Sequence, residues 1–235
     1  PGKLPACLPT EVVTVSMWGF DGPRVEEYVS RFFSDQPVQE AALAELRASR
    51  HLWSMCVVPA LCQVACLCLH HLLPGRSPGQ SAALLPTVTQ SYVQMVLSLS
   101  PQGFLPAESL MGLGEVALWG LETGKVVFTA GDIPPPTMAF AAALGLLTSF
   151  CVYTEPGHQE TGYVFTHLSL QQFLAALHLM ASPKVDRDTL AQHVTLNSRW
   201  VLRTKARLGL LDHHLPTFLA GLASCACHPF LTPLA

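Results

Sequence analysis

The chain has 235 residues, of which 12% are charged: 13 Lys and Arg stand against 16 Asp and Glu, so the formal net charge is −3. Soluble domains carry charge on roughly a quarter of their residues, so this surface is poor in charge. Hydrophobic residues make up 50% and the mean hydropathy is +0.36, which excludes a disordered charged tail, because such a tail buries too little apolar area to offset its chain entropy.

The first predicted elements are a β-branched strand at residues 12–17 and an amphipathic helix that follows the turn WGFDGPR. Pro23 suits the first turn of that helix, where its missing N–H needs no partner. Val25 and Val29 then begin an apolar pattern at helical spacing. We expect this helix to end near Ser34.

A second helix is predicted at residues 38–48, and a third follows residue 55 within CVVPALCQVACLCLHHLL. The third helix is apolar nearly all round, which predicts that it is buried on every side. Pro59 lies in its first turn, where proline is tolerated. Residues 73–86 are rich in Pro, Gly and Ser, a composition that predicts a surface linker and a first domain boundary.

The second half of the chain is predicted to alternate helices with short strands. Helices are expected at residues 87–100, 107–121, 134–147 and 168–180, and strands at residues 125–129, 149–153 and 163–166. The last two strands flank the turn-rich TEPGHQETG and therefore predict a hairpin. Helices, a hairpin and a closing helix together indicate a winged helix.

The apolar composition raises the question of a membrane span. The longest apolar run, at residues 138–153, falls short of the roughly 20 residues that a spanning helix needs, and it is preceded by three prolines rather than by Lys or Arg. We interpret it as a buried helix that runs into a strand. The chain opens with Pro and without a signal-peptide pattern, so we expect an internal piece of a longer protein.

Cysteine usage favours a reducing compartment. The chain has 8 Cys, and it does not resemble the short, loop-rich secreted chains in which disulfides dominate. Free cysteines in apolar stretches act as small hydrophobic side chains. Five cysteines lie in such stretches and are expected to pack in this way: Cys56, Cys62, Cys66, Cys68 and Cys151.

Three segments, taken in order and spacing, resemble the NOD-like receptors. They are WGFDGPRVEEYVSRFFSD at residues 18–35, LWSMCVVPALCQVAC at 52–66 and FTHLSLQQFLAALHLMAS at 165–182. Each motif alone is weak, and the three together are specific. The stretches VPALCQVACLCLHHLLP and FTHLSLQQFLAALHLMASPKV are most similar to the branch of the family that carries a caspase-recruitment domain and acts on class I MHC genes.

The resemblance implies a mainly α fold in four parts. Residues 1–20 would hold the terminal strand of a nucleotide-binding domain, and residues 21–84 a first helical domain. Residues 85–182 would form a winged-helix domain, and residues 183–235 the start of a second helical domain. Such a segment is a hinge between the nucleotide and the rest of the receptor.

The resemblance also implies a nucleotide site. In the family, a helical-domain proline lies against the base and a winged-helix histidine contacts the β-phosphate of ADP, and these positions are Pro59 and His167 here. The implied cofactor is ADP or ATP, shared with an upstream nucleotide-binding domain, and ADP would hold the closed state. Gln172 stands where the family has Glu, so an ion pair of that Glu is absent, which bears on the stability of the closed state.

The segment lacks the motifs of an enzyme. It contains no G-x-x-x-x-G-K-[ST] P-loop and no apolar strand that ends in paired acidic residues, so it holds no Walker B ligand for Mg²⁺. We therefore expect no ATP hydrolysis by this piece alone. The implied partners are nucleotide, the upstream nucleotide-binding domain, downstream leucine-rich repeats, and proteins of immune signalling or transcription in the cytoplasm and nucleus, without membrane binding.

Three alternatives stay open. A winged helix can bind DNA, but residues 168–180 contain no Lys or Arg to neutralise phosphate, so direct nucleic-acid binding is not expected, and the cluster Arg199, Arg203, Lys205 and Arg207 is interpreted as a solvated face or an internal contact. The chain could instead be a scaffold that ignores nucleotide. Cys62, Cys66 and His70 lie on one helical stripe and could ligate zinc, although such stacked ligands rarely converge.

Overall fold

The computed structural model describes residues 18–75, 84–99, 106–155, 158–186, 188, 190, 214–224, 227–232 and 234. The strand predicted at residues 12–17, most of the linker at 73–86 and the basic cluster at 199–207 lie outside these described residues. The elements follow one another in this order: α1 Gly22–Phe32, α2 Gln36–Ala48, α3 Arg50–Met55, α4 Pro59–Leu72, a 3-10 turn Leu73–Gly75, α5 Val88–Leu99, α6 Ala107–Thr123, β1 Phe128–Thr129, α7 Pro135–Ala143, β2 Leu147–Glu155, β3 His158–Phe165, α8 Leu168–Ala181, α9 His214–Leu222 and α10 His228–Leu231.

The fold class predicted from the sequence is confirmed: the fold is mainly α and combines helices with a small winged-helix sheet. α1 illustrates why local sequence suffices for many helices. The Asp21 side chain caps it by accepting from the backbone N–H of Arg24 at 3.0 Å, and Pro23 lies in its first turn. Val25 and Val29 are its buried residues. The domain boundaries stay predictions.

α4 is buried on one side, which corrects the expectation that it is buried all round. Its inner stripe is Leu61, Cys62, Ala65, Cys66, Cys68 and Leu69, and it packs against α1, α2, α3 and α5. Pro59, Gln63 and His70 are exposed. The apolar composition of a helix therefore did not determine how many neighbours surround it.

The winged helix is built on a three-stranded antiparallel sheet in the order β1-β3-β2. Phe128 of β1 pairs with Tyr163 of β3, and Ser149 of β2 pairs with the same residue from the other side. Phe128 and Phe165 are buried on one face of the sheet, with ring centroids 5.6 Å apart. On the other face, Phe150 is 40% exposed.

Two predicted elements are shorter in the structure: the helix at residues 134–147 and the strand at residues 125–129. In both cases a glycine with positive φ ends a helix, which is α7 itself in the first case and α6 before the strand in the second. α7 stops at Ala143, where Gly145 (φ 65°) and the bond from the Leu146 N–H to the Ala141 carbonyl close a left-handed C-terminal turn. α6 ends in the same manner at Gly124 (φ 71°), and the Lys125 N–H bonds back to the Gly120 carbonyl. Lys125 therefore belongs to a helix cap, and β1 keeps two residues of the predicted strand.

The hairpin strands are longer than predicted. Most of TEPGHQETG was expected to be a loop, yet β2 runs to Glu155 and β3 starts at His158. Cys151 pairs with Thr161 and Tyr153 pairs with Gln159. The polar composition of this segment indicates exposure to solvent, but exposure does not require a loop. Exposed strands can still satisfy the hydrogen bonds of their backbone groups by pairing with each other. Cys151 is exposed, so its predicted burial is wrong, whereas Cys56, Cys62, Cys66 and Cys68 are buried as predicted.

α8 forms the centre of the fold. Almost all of its side chains are buried, because α5, α6, α9 and β3 surround it. Gly114 lets α6 approach closely: a Cβ there would lie 2.7 Å from the His178 Cβ and 2.7 Å from the Leu174 carbonyl oxygen. On another side, Tyr92, Phe173 and Phe218 form an aromatic cluster with ring centroids 4.9–5.6 Å apart.

Among the described residues, no helix has the length and apolar character required to cross a membrane. Residues 138–153 instead form the second half of α7, a turn and most of β2. The interpretation of this run as a helix that leads into a strand is confirmed.

Candidate functional site

Pro59 is the first residue of α4, and its position follows from the turn before it. α3 ends at Met55, and Val58 has an extended backbone (φ −88°, ψ 116°) that redirects the chain into α4. The Val57 carbonyl accepts from the Phe20 N–H at 2.7 Å. The segment before α1 is thereby fixed against the α3–α4 turn.

His167 caps the N-terminus of α8, a position at which Ser, Thr, Asp and Asn are usual. Its backbone is extended (φ −152°, ψ 145°), and its Nδ1 accepts from the Ser169 backbone N–H at 3.3 Å. The Ser169 Oγ lies 2.5 Å from the same Nδ1, and the Tyr92 hydroxyl lies 2.5 Å from that Oγ. Tyr92 comes from α5, 77 residues before Ser169.

These hydrogen bonds assign the proton of the imidazole. A backbone N–H can only donate, so the Nδ1 of His167 accepts and carries no proton. In the neutral ring the proton then lies on Nε2. His167 is therefore held as an Nε2–H donor.

A cavity of about 520 Å³ is lined by His167 but not by Pro59, whose neighbours in the sequence line it instead. Its volume is within the range of small-molecule sites. Val58 and Leu61, on either side of Pro59 in the sequence, line it together with His51, Tyr92, His167 and Ser169. Among the described residues that line it there is no Asp or Glu, so an anion would meet imidazole and hydroxyl groups rather than carboxylates. Contact of Pro59 and His167 with a nucleotide stays a prediction.

His51 is a cavity residue that the sequence did not indicate. Its Nδ1 lies 3.0 Å from the Ser49 Oγ and its Nε2 lies 3.0 Å from the Ser91 Oγ of α5. Burial lowers its pKa below the usual 6.5, which favours the neutral ring. Since Ser91 is 40 residues away in the chain, no local pattern could have identified this contact. His51 fastens α3 to α5 beside the cavity.

The zinc alternative finds no support in the described part of the chain. Cys62 and Cys66 are buried while His70 is exposed, and the described residues hold no group of three or more His, Cys, Asp or Glu that could bind a metal ion. Hydrogen bonding to Cys62 together with burial raises the pKa of Cys56 and of Cys66. Burial raises the pKa of Cys68 to about 11. These three groups are therefore neutral thiols at pH 7 and pack as apolar side chains. Hydrogen bonds with Cys56 and Cys66 shift the pKa of Cys62 in the opposite direction, below its usual value.

Comparison with known proteins relates this geometry to a family. A family model described as "NLRC5, helix-turn-helix domain" matches residues 104–165. Human NLRC5 is 73% identical and mouse NLRC5 64% identical over the whole of this chain, and human "NLR family CARD domain-containing protein 3" is 31% identical over 75% of it. The chain belongs to the NOD-like receptor family. It spans 12%, 12% and 18% of the lengths of these three relatives.

Within this NOD-like receptor segment, the matched residues 104–165 contain the whole of α6 and α7 and the three-stranded sheet. They carry one Lys, no Arg and six acidic residues. Duplex DNA is bound mainly through neutralisation of its phosphates by basic side chains. The helix-turn-helix region of this receptor segment therefore has the wrong charge for a DNA groove.

Gln172, which departs from the Glu of the NOD-like receptor pattern, lies buried in α8 with 8% exposure. A carboxylate at this depth would need a charged or hydrogen-bonding partner to offset its desolvation, whereas an amide is neutral. The neighbouring Gln171 donates from Nε2 to the Ala117 carbonyl at 3.2 Å and ties α8 to α6. In this member the two glutamines thus belong to the packed core.

Proposed function

We propose that this segment is the hinge of a nucleotide-gated switch, in which bound ADP holds the receptor closed. The observation that carries the proposal is the state of His167: its Nδ1 is an acceptor for Ser169, so its Nε2–H is a donor at a cavity bounded by the turn around Pro59. Such a donor is suited to a phosphate oxygen. Pro59 would contact the base.

The physical reason for gating lies in the origin of the two contacts. His167 belongs to the winged helix and Pro59 to the first helices, so a nucleotide that contacts both stabilises their present arrangement. A ligand shifts a conformational equilibrium by as much as its affinity differs between the two states. ADP would bind the closed arrangement more tightly than an open one and so oppose opening.

The nucleotide-binding domain that would supply the P-loop and Mg²⁺ ligands belongs to the rest of the receptor, and any hydrolysis would occur there. We infer that the complete receptor acts in innate immune regulation and in transcription of class I MHC genes, in the cytoplasm and nucleus. It would do so through protein partners and with leucine-rich repeats that follow this segment. The high identity to human and mouse NLRC5 supports this inference.

The decisive experiment is His167→Ala in the complete receptor, with release of fluorescent ADP as the measurement. Loss of a hydrogen bond to a charged phosphate is expected to accelerate release by about ten- to a hundredfold. His71→Ala is the matched control, because His71 is exposed near the end of α4. Receptor that never retains ADP, or unchanged release from His167→Ala, would contradict the switch and favour a scaffold that is independent of nucleotide.

A second candidate, DNA binding, is favoured by the description of the matched helix-turn-helix model. The single Lys in the matched residues and the burial of α8 oppose it. Binding to a duplex, measured at several salt concentrations, separates the candidates. A groove binder loses affinity steeply with salt, whereas the switch predicts no binding to the duplex.

A further inference from the structure

The cap of α8 contains more polar groups than a helix N-terminus needs. The Ser169 N–H already satisfies the Nδ1 of His167 as an acceptor, yet the Ser169 Oγ points at the same nitrogen, and the Tyr92 hydroxyl points at that Oγ. Tyr92 is 2% exposed and Ser169 is 5% exposed. Burial of two hydroxyls is favourable only when they are hydrogen-bonded, and here each is bonded to the next.

The direction of this chain of hydrogen bonds follows from its fixed end. Because Nδ1 accepts from the backbone, the Ser169 hydroxyl must donate its proton to Nδ1. The Ser169 oxygen then accepts from Tyr92, whose hydroxyl is the first donor. Burial raises the pKa of Tyr92, so its phenol stays protonated at neutral pH and keeps this role.

The Tyr92 ring is itself held in place by packing. Its centroid lies 5.6 Å from that of Phe173 in α8 and 4.9 Å from that of Phe218 in α9. The preceding residue, Ser91, contacts His51 on the other side of the cavity. Two successive residues of α5 are thus linked to both cavity histidines, His167 through Ser169 and His51 directly.

We propose that Tyr92 and Ser169 are positioning residues that fix the Nε2–H form and the orientation of His167 toward a nucleotide phosphate. This inference rests on the proposed function of the cavity. Without the Ser169 hydroxyl, Nδ1 would keep one long bond to the backbone and could take a proton of its own. The imidazole would then exchange between its two neutral tautomers and the protonated cation. The Nε2–H group would no longer be fixed as the donor before a nucleotide binds.

The test is a double-mutant analysis of ADP release from the complete receptor. Loss of one hydrogen bond predicts that Ser169→Ala accelerates release by about tenfold and Tyr92→Phe by about threefold. In a receptor that also carries His167→Ala, both changes are expected to add nothing, because they act through that ring. Tyr163→Phe, which removes a tyrosine hydroxyl in β3, is the matched control and is expected to leave release unchanged.

A pH profile gives a second readout that a purely structural role would not move. Between pH 6 and 8, release from Ser169→Ala is expected to slow as the pH falls, since a protonated imidazole attracts phosphate more strongly. The parent receptor is expected to show a flatter profile. Tyr92→Phe keeps the packed ring and so tests the hydroxyl even if Ser169→Ala reduces folding.

The outcomes distinguish this inference from the proposed function. If His167→Ala leaves release unchanged, the proposed function is wrong and the positioning role falls with it. If His167→Ala accelerates release while Ser169→Ala and Tyr92→Phe have the same effect with and without His167, the nucleotide contact stands and the positioning role is wrong. Loss of their effects in the His167→Ala receptor supports the positioning role.

Discussion

The helices α4 and α8 are both mainly apolar in sequence, but they differ in how completely their side chains are buried. Each is 14 residues long and follows an extended residue. α4 begins at the predicted site residue Pro59, and α8 begins directly after the predicted site residue His167. α4 exposes Pro59, Gln63 and His70, although its sequence is apolar nearly throughout. α8 buries almost everything, including the polar Gln171 and His178.

The difference teaches that neighbours, rather than the hydropathy of a helix, decide its burial. α8 has α5, α6, α9 and β3 around it, and two of its buried polar side chains have partners there: Gln171 donates to the Ala117 carbonyl, and the Nδ1 of His178 donates to the Met111 carbonyl at 3.1 Å. α4 has a packed stripe on one side. Polar residues of α8 can lie in the protein core because neighbouring elements pack closely against them and supply hydrogen-bond partners.

The largest effect is expected where α6 meets α8. Gly114→Val would place side-chain atoms against the His178 Cβ and the Leu174 carbonyl, and the overpacking should lower the free energy of unfolding by about 3 kcal/mol. The measurement is proteolysis of the receptor in a urea series. The same residue introduced on the exposed side of α4, Gln63→Val, is expected to change the value by less than about 0.5 kcal/mol; equal effects would contradict the comparison.

A smaller effect concerns the buried His178 and its dependence on pH. Burial lowers its pKa below 6.5, with Glu115 opposing and Lys184 adding to this shift. The unfolded state therefore binds more protons below about pH 6.5, and the free energy of unfolding should fall as the pH decreases, by at most about 1.4 kcal/mol per pH unit for this group. Above that pH the contribution is constant.

His178→Gln should reduce that slope, because the amide does not titrate. The remaining slope includes His51, whose pKa is also lowered by burial. His70→Gln on the exposed end of α4 is the matched control. Urea denaturation at pH 5.5, 6.5 and 7.5 measures the slope, and a slope unchanged by His178→Gln would show that this burial does not penalise the charged ring.

The smallest effect concerns apolar side chains that, unlike those of α8, lie on the surface. Phe150 is 40% exposed on the outer face of the sheet, while Phe165 on the inner face is 7% exposed. Phe150→Thr is expected to change stability by less than about 0.5 kcal/mol and to increase the soluble fraction of the isolated chain, which we expect to be poorly soluble. Phe165→Thr, the matched control, should reduce both the stability and the soluble fraction. Similar results for the two variants would contradict the distinction between the inner and outer faces of the sheet.

Local sequence predicted helices well where a cap or a stripe defined them. α1 has its Asp21 cap and α8 its apolar pattern, and both lie within a few residues of their predicted positions. The strands were predicted less well, because pairing between Cys151 and Thr161, or between Tyr153 and Gln159, depends on a partner rather than on local composition. Gly145 was a visible helix stop that the predicted helix at 134–147 ran through.

The candidate site likewise contains some residues that the sequence indicated and others that it did not. Pro59 and His167 came from motifs, and their nucleotide contacts stay predictions. His51 and Tyr92 carried no signal, since each gains its role from a residue far away in the chain: His51 from Ser91, and Tyr92 from Ser169. Such contacts between residues far apart in the chain cannot be recognised from a single sequence.

By itself, the sequence determined the mainly α class, the winged helix, the absence of a P-loop in these residues and the resemblance to NOD-like receptors, because these depend on local periodicity and short motifs. The tertiary structure decided which apolar helix is the core and which distant side chain reaches the cap of α8 at Ser169. Both depend on long-range packing: α5 brings Tyr92 to Ser169, and α6 approaches α8 at Gly114. Part of the apolar excess lies on the surface, at Phe150 on the outer face of the sheet and at Val127 just before β1.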